Sequence, residues 1–191
     1  MSDRAEHRDR LRALEFDAFV AGAGGRLLHT ATLLTGEPPQ PPGAYPRAER
    51  LLHAALARTY ADWDRLHGGD PYDLARRELV LRFAREARRH RRPRGGLLDR
   101  LSPVERLVLV LRLYEEVGEE QAAALLGLPD DRVRAVCARA VAALRSAGRG
   151  RGAASAARSG TERPAPRSTA PGPRSTAPGP RGTAPGPRET A

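Results

Sequence analysis

Clusters of proline and glycine impose the strongest constraint on this chain, because they divide its first 146 residues into segments that a single helix cannot cross. Residues 36–46, G-E-P-P-Q-P-P-G-A-Y-P, hold five prolines, which lack the amide donor that a helix needs. Two further breaks follow, H-G-G-D at residues 67–70 and P-R-G-G at residues 93–96. Apolar residues between the breaks follow helical spacing, and no two apolar runs flank a hairpin turn. The pattern predicts an all-α fold.

The apolar spacing defines the first three helical segments. Helices are predicted over residues 11–34, 47–66 and 71–92. In the first of these, Gly22, Gly24 and Gly25 predict a bend or a break, because glycine is a poor helix former. The third segment ends in R-R-H-R-R-P, where Pro93 stops it.

A fourth helix has an unusually clear start. Ser102 can cap its N-terminus, Pro103 suits the first helical position, and Glu105 completes a capping box, S-P-V-E. The apolar run over residues 107–113 covers more than one helix face, so we expect this helix to be buried. Together the segments predict two small helical lobes, residues 1–92 with a proline-rich insertion at 36–46, and residues 98–146, joined by a short linker at 93–97.

The last part of the sequence repeats a seven-residue unit. From residue 167 it runs R-S-T-A-P-G-P, R-S-T-A-P-G-P, R-G-T-A-P-G-P and then R-E-T-A. Two prolines in each unit and the absence of large apolar residues exclude a heptad coiled coil. We expect residues 147–191 to form a disordered tail, in part polyproline II, that acts as a spacer or touches phosphates without reading sequence.

The charge of the chain is distributed unevenly. Its 33 basic residues, all of them arginine, exceed the 23 acidic residues by ten. Eight arginines and two glutamates lie in residues 147–191, so the expected tail carries six of the ten excess charges. The remainder, +4, is spread over the two predicted lobes. Net charge alone is therefore a weak indication that the folded part binds nucleic acid.

Composition excludes several classes of protein. Cys137 is the single cysteine, so no internal disulfide can form, and the charged start of the chain does not resemble a secretory leader. The longest purely aliphatic run is five residues, far below the roughly 20 that span a bilayer. The five histidines are scattered and no nucleophile lies at a fixed spacing from a base. We expect a cytoplasmic protein without membrane insertion, cofactor, metal site or catalytic residues, and not an enzyme.

Residues 119–138 fit the twenty-residue pattern of a helix-turn-helix motif. Gly127 takes the place of the turn glycine, and Ala123 supplies the small residue that the second helix crosses. Leu126 and Leu128 flank the turn. In such a motif the second helix enters the major groove, and its outward side chains contact base edges and phosphates.

A helical wheel separates two faces of the predicted recognition helix. The residues expected to face inward are Val133, Val136, Cys137, Ala140 and Leu144, and those expected to face outward are Arg132, Arg134, Ala135, Ala138, Arg139 and Arg145. A helical hairpin that binds protein instead of DNA is the structural alternative. It is favoured by Asp130 and Asp131, which cap the helix well but repel phosphate.

Residues 101–145, L-S-P-V-E-R-L-V-L-V-L-R-L-Y-E-E-V-G-E-E-Q-A-A-A-L-L-G-L-P-D-D-R-V-R-A-V-C-A-R-A-V-A-A-L-R, resemble region 4 of sigma-70 family initiation factors of the extracytoplasmic-function group. Upstream, F-D-A-F-V, L-L-H-T-A-T-L-L-T-G and A-E-R-L-L-H-A-A-L-A-R-T-Y-A-D-W resemble region 2 of the same family, in a divergent form. The two resemblances cover about 120 of the 191 residues and occur in the order of the family.

The resemblance implies a transcription factor that binds core RNA polymerase and promoter DNA and directs initiation. It implies that Arg132, Arg134, Ala135, Ala138 and Arg139 read the minus-thirty-five element. It further implies a second DNA-binding set, Arg82, Arg85, Arg88 and Arg89, at the minus-ten element, and a polymerase-binding surface formed by Arg50, Leu51, Leu52 and His53. An anti-sigma factor is a further partner that such a protein can have.

Two other functions remain open from the sequence. One is a degenerate sigma relative that regulates by binding DNA without initiating transcription. The other is a helical protein-interaction module that binds the regulators of sigma factors.

Glycine-rich residues 22–25 do not form a phosphate loop, since no strand precedes them and no lysine follows.

Overall fold

The computed structural model describes residues 2–38, 45–66 and 68–159. The long elements are α1 (Ser2–Thr35), α2 (Pro46–Ala61), α3 (Pro71–Arg85), α4 (Pro103–Leu109), α5 (Glu119–Leu126) and α6 (Asp130–Ser159). Short 3-10 helices cover Trp63–Arg65 and Ala87–His90, and one turn of π-helix, Val110–Tyr114, continues α4. Among the described residues there is no strand, so the predicted all-α class is confirmed. No helix within these ranges is long and apolar enough to cross a membrane.

The N-terminal half is a bundle of α1, α2 and α3 around an aliphatic core. Leu27, Leu34, Leu79 and Phe83 are fully buried in it. The break predicted at the glycines of α1 is wrong, because the helix is continuous from Ser2 to Thr35. Glycine costs only about 1 kcal/mol in a helix, and the buried residues that follow in α1 anchor the segment against α2 and α3.

Side chains from outside the helices fix where α2 and α3 begin. The Glu37 carboxylate accepts hydrogen bonds from the amides of Arg47 and Ala48, at 3.1 and 2.8 Å, and so caps α2. The carboxylate of Asp70 accepts from the amide of Tyr72 at 2.8 Å at the start of α3. Both helices have proline in their first turn, where the missing amide donor costs nothing.

The second and third helices end earlier than the sequence predicts. The chain leaves α2 after Ala61, and it leaves α3 after Arg85 for the tighter 3-10 turn that ends at His90. This turn brings the His90 ring to 4.8 Å from the Phe83 ring, and only 6% of His90 remains exposed. Burial of the imidazole against the core therefore accounts for the change of pitch.

The C-terminal half is built around α4, whose predicted capping box is present. The amide of Ser102 donates to the Glu105 carboxylate at 2.9 Å, and the amide of Glu105 donates to the Ser102 hydroxyl at 3.3 Å. Val108 and Leu111 are fully buried, whereas Leu113 is 59% exposed. The apolar run is therefore buried over most of its length, and not at its end.

The last helix extends past the start that we predicted for the tail. Residues 147–159 continue α6 instead of being disordered. Four of the seven residues 153–159 are alanine, the best helix former, and adding a residue to an existing helix is far easier than starting one. The heptapeptide repeats, and residues 39–44 of the proline-rich insertion predicted at 36–46, lie outside the described residues.

Two buried charged side chains join the two halves. Arg106 is fully buried, and its guanidinium donates to the carbonyl oxygens of Leu34 and His90, both at 2.9 Å, and of Leu101 at 3.4 Å. Burial lowers the pKa of Arg106, an effect that nearby Asp99 opposes. One side chain thus ties α4 to the end of α1, to the 3-10 turn and to the residues just before α4.

The second buried charge is Glu115, which follows the π-helical turn. Its carboxylate accepts from the Thr30 hydroxyl of α1 and, at 3.0 and 2.9 Å, from the Tyr72 hydroxyl of α3. Arg26 and Arg76 lie 3.5 and 3.9 Å from the same carboxylate. Burial raises the pKa of Tyr72, and the hydrogen bond to Glu115 raises it further, so the phenol remains a donor.

Candidate nucleic-acid interface

The turn between α5 and α6 has the backbone geometry that the sequence pattern requires. Gly127 has φ 63°, in the left-handed region that favours glycine. The amide of Leu128 donates to the carbonyl of Ala123 at 3.0 Å, and the amide of Gly127 donates to that of Ala124 at 3.4 Å. These two bonds form a Schellman cap, which ends α5 and redirects the chain into α6 after three residues.

Small side chains allow the two helices of the motif to pack closely. Ala122 and Ala123 of α5 are buried, as are Val133, Val136 and Ala140 of α6. The inward face of the recognition helix therefore matches the helical wheel, with two of the five predicted positions, Cys137 and Leu144, only half-buried. Because α6 also packs against α4, its orientation is fixed by two neighbours.

The opposite face of α6 carries the predicted reading residues. The five side chains expected at the minus-thirty-five element are all exposed, namely Arg132, Arg134, Ala135, Ala138 and Arg139. They lie within two turns of the helix, and the alanines keep the space between the arginines open. The major groove of DNA is wide enough to admit a helix that presents an exposed face of this kind.

One of the three arginines is held by an ion pair that the sequence did not predict. The Arg134 guanidinium lies 2.5 Å from the carboxylate of Glu119, in the first turn of α5. This hydrogen bond raises the pKa of Arg134. No periodicity relates residues 15 apart on different helices, so only the folded motif reveals the contact. Arg132 and Arg139 have no ion-pair partner among the described residues.

The four arginines expected at the minus-ten element lie at the end of α3 and in the 3-10 turn that follows. Arg82, Arg85, Arg88 and Arg89 are all exposed. Glu86 lies between them, 3.6 Å from Arg82 and 3.4 Å from Arg89. These side chains lie on other elements than the helix-turn-helix, so the structure provides two separate basic surfaces.

The expected polymerase-binding surface is only partly a surface. Leu51 and Leu52 are 4% and 7% exposed and belong to the core of the N-terminal bundle. Their inclusion was wrong, because α2 packs against both α1 and α3 and buries the face that carries them. Arg50 and His53 are exposed on the other side of the helix.

Comparison with known proteins gives matches over most of the described chain. The family described as Sigma-70, region 4 matches residues 97–146, which include α4, α5 and the reading face of α6. The chain is 29% identical over 157 residues to an RNA polymerase sigma-E factor of Streptomyces coelicolor, covering 69% of this chain and 85% of the relative. It is 30% identical over 160 residues to an RNA polymerase sigma-E factor of Streptomyces antibioticus, covering 69% and 83%. No solved structure gives a significant match.

Proposed function

Since the chain belongs to the sigma-70 family of RNA polymerase sigma factors, in the extracytoplasmic-function group, we propose that it directs promoter recognition for transcription initiation by reading the minus-thirty-five element with α6. The observation that carries the proposal is the α5–α6 motif, in which a glycine turn and two packed faces hold exposed arginines on one side of a helix. As a sigma factor the chain acts with core RNA polymerase on promoter DNA.

Among the reading residues, Arg132 and Arg139 are best placed for direct contact. Both are exposed, and neither is held by a carboxylate within the described residues. Arginine can form two parallel hydrogen bonds to guanine, which discriminates against the wrong base by about 1–3 kcal/mol. Arg134 must break its ion pair with Glu119 before it can bind DNA. The energy of that ion pair is subtracted from the contribution of Arg134 to DNA binding. The small side chains of Ala135 and Ala138 allow α6 to lie close to the base edges in the groove.

The N-terminal half supplies the other two proposed contacts. The exposed arginines at the end of α3 and in the 3-10 turn are proposed to contact the minus-ten element. Glu86 neutralises part of their positive charge. Arg50 and His53 are the exposed positions of α2 within the proposed polymerase-binding surface. The proposal also includes an anti-sigma factor as a further partner, a location in the cytoplasm and the absence of any enzymatic activity.

Reconstituted transcription tests the initiation function directly. Core RNA polymerase with the full-length chain should give run-off products from a subset of a promoter library prepared from the host genome. Absence of any product above that of core polymerase alone would contradict initiation. If the chain nevertheless bound specific promoter fragments of that library, it would be a DNA-binding regulator without initiating activity.

Salt-dependent binding tests the reading face. Arg139→Ala should weaken binding of the full chain to a selected promoter duplex and reduce the slope of log affinity against log salt by about one. Arg10→Ala, an equal change of charge at an exposed position of α1, is the matched control and should leave the slope unchanged. Equal effects of the two variants would show that α6 makes no specific contact.

A further inference from the structure

A basic pocket lies between the start of α2 and the end of α3. Its volume is about 400 Å³, and its polar wall is formed by Arg47, Arg50, Arg82, Glu86, Arg89 and His90. Two of these arginines come from α2, which the sequence did not associate with the four arginines of α3 and its 3-10 turn. The pocket therefore exists only because the bundle brings two helix ends together.

The pocket carries more positive charge than its own carboxylate can neutralise. Four guanidinium groups face one carboxylate, that of Glu86, which already lies within 4 Å of both Arg82 and Arg89. Arg47 and Arg50 have no ion-pair partner among the residues that the structure describes. With His90 neutral, the wall has a net charge of +3. Like charges this close repel one another, so an anion bound between them would be strongly favoured.

A buried histidine in the same wall lacks hydrogen-bond partners. His90 is 6% exposed, and neither ring nitrogen has a partner within the described chain. Burial lowers its pKa to about 4, and Arg94 contributes to the shift, so the ring is neutral at physiological pH. A neutral imidazole has one donor and one acceptor nitrogen, and buried polar groups are seldom left unsatisfied. A ligand with hydrogen-bonding oxygens would provide the missing partner.

We propose that this pocket is a binding site for an oligophosphate group, that is, for two or more consecutive phosphates. Arginine suits phosphate because its planar fork donates two parallel hydrogen bonds. One phosphate monoester carries about −1.5 to −2 charges, which is less than the +3 net charge of the wall. Two adjacent phosphates carry enough negative charge to balance it. The volume falls within the range of about 300–1,000 Å³ for small-molecule sites and exceeds the needs of a single ion.

The same chemistry is available from two sources, a small phosphorylated molecule such as a nucleotide polyphosphate, and the backbone of a DNA strand. The pocket shares Arg82 and Arg89 with the proposed minus-ten set and Arg50 with the proposed polymerase-binding surface, whereas Arg47 and His90 belong to neither, so binding of phosphate alone is measured separately from transcription. Inorganic tripolyphosphate provides a probe that contains phosphate and nothing else. Its binding to the full-length chain can be measured by isothermal titration calorimetry.

The test compares variants of matched charge. Arg47→Gln with Arg50→Gln removes two exposed charges from the pocket and should weaken tripolyphosphate binding at least about tenfold. Arg8→Gln with Arg77→Gln removes two exposed charges elsewhere and should change the affinity less than roughly twofold. Glu86→Gln should tighten binding about threefold or more, because it removes the opposing carboxylate. A gain of this kind cannot arise from a damaged fold.

Three results would overturn the proposal: no saturable binding by the unaltered chain, equal losses in the two double variants, or no gain for Glu86→Gln. Far-UV circular dichroism of each variant verifies that the helices are retained. Addition of a mixed-sequence DNA duplex then separates the sources. If the duplex displaces tripolyphosphate and the pocket variant loses affinity for DNA by a similar factor, the natural ligand is a DNA strand. If the duplex leaves tripolyphosphate bound, the ligand is a small phosphorylated molecule.

Discussion

The buried carboxylate of Glu115 provides a sharp test of how the two halves are held together. Replacing it in Glu115→Ala leaves the hydroxyl groups of Thr30 and Tyr72 without this acceptor and removes the carboxylate near Arg26, whereas Arg76 keeps its ion pair with Asp73 at 2.8 Å. All four partners lie in the N-terminal half, whereas Glu115 lies in the C-terminal half. The variant therefore removes contacts between the halves and few within either of them.

The magnitude follows from the kinds of contact that are lost. A hydrogen bond to a charged group contributes about 1.5–3 kcal/mol, and removing one partner of a buried charged group costs about 3–5 kcal/mol. The side chain of Glu115 has no exposed area and Thr30 is fully buried, so solvent does not reach that hydroxyl, whereas Arg26 is 52% exposed and can be hydrated. We expect the free energy of unfolding to fall by about 4 kcal/mol, a large part of the 5–15 kcal/mol typical of folded domains.

Urea denaturation followed by circular dichroism measures the change. For a slope of about 2 kcal/mol per molar, the midpoint of Glu115→Ala should fall by about 2 M. Glu120→Ala, an exposed position of α5 with the same change of charge, should stay within about 0.5 kcal/mol of the unaltered chain. A loss below about 1 kcal/mol for Glu115→Ala would refute the reasoning, because the carboxylate would then be solvated and the halves separated in solution.

Three further predictions concern single residues. The pKa of His90 is lowered from 6.5 to about 4, so the unfolded chain binds the proton first and stability falls as pH drops below about 6.5. Between about pH 7.5 and pH 5 the unaltered chain should lose roughly 2 kcal/mol more than His90→Leu in urea denaturation. Arg106→Leu should destabilise by about 2 kcal/mol, since three buried carbonyl oxygens lose their donor, and an unchanged midpoint would contradict this. Gly127→Ala should cost about 1–2 kcal/mol through its positive φ and lower the melting temperature, whereas Gly148→Ala, inside α6, should raise it.

The helix-turn-helix could be predicted from the sequence because its constraints are local. Gly127 is required by a left-handed turn, Ala123 by a close helix crossing, and Val133 and Val136 by helical spacing. Each of these requirements acts within about one or two turns of helix. The capping box at Ser102 was predictable for the same reason, since both of its hydrogen bonds join residues three apart.

The contacts that unite the chain could not be predicted, because each depends on residues far apart in sequence. Arg106 reaches a carbonyl 72 residues away, and Glu115 accepts from a hydroxyl 85 residues away. In the sequence both look like ordinary charged residues of a solvated helix face. The same reason explains why Leu51 and Leu52 were assigned to a surface, and why the Arg47 and Arg50 side of the pocket was missed.

Arg106 and Glu115 also determine how the protein can be divided for experiments. A fragment covering residues 97–146, the extent matched by the sigma family, would carry both side chains without their partners in α1, α3 and the 3-10 turn. An N-terminal fragment would carry the complementary set of exposed carbonyls and hydroxyls. The segment that matches the region 4 family is thus smaller than the unit that these buried contacts hold together. Gene fusions and truncations that place a boundary near residue 97 should yield two insoluble products, unless the halves are expressed together and reassemble.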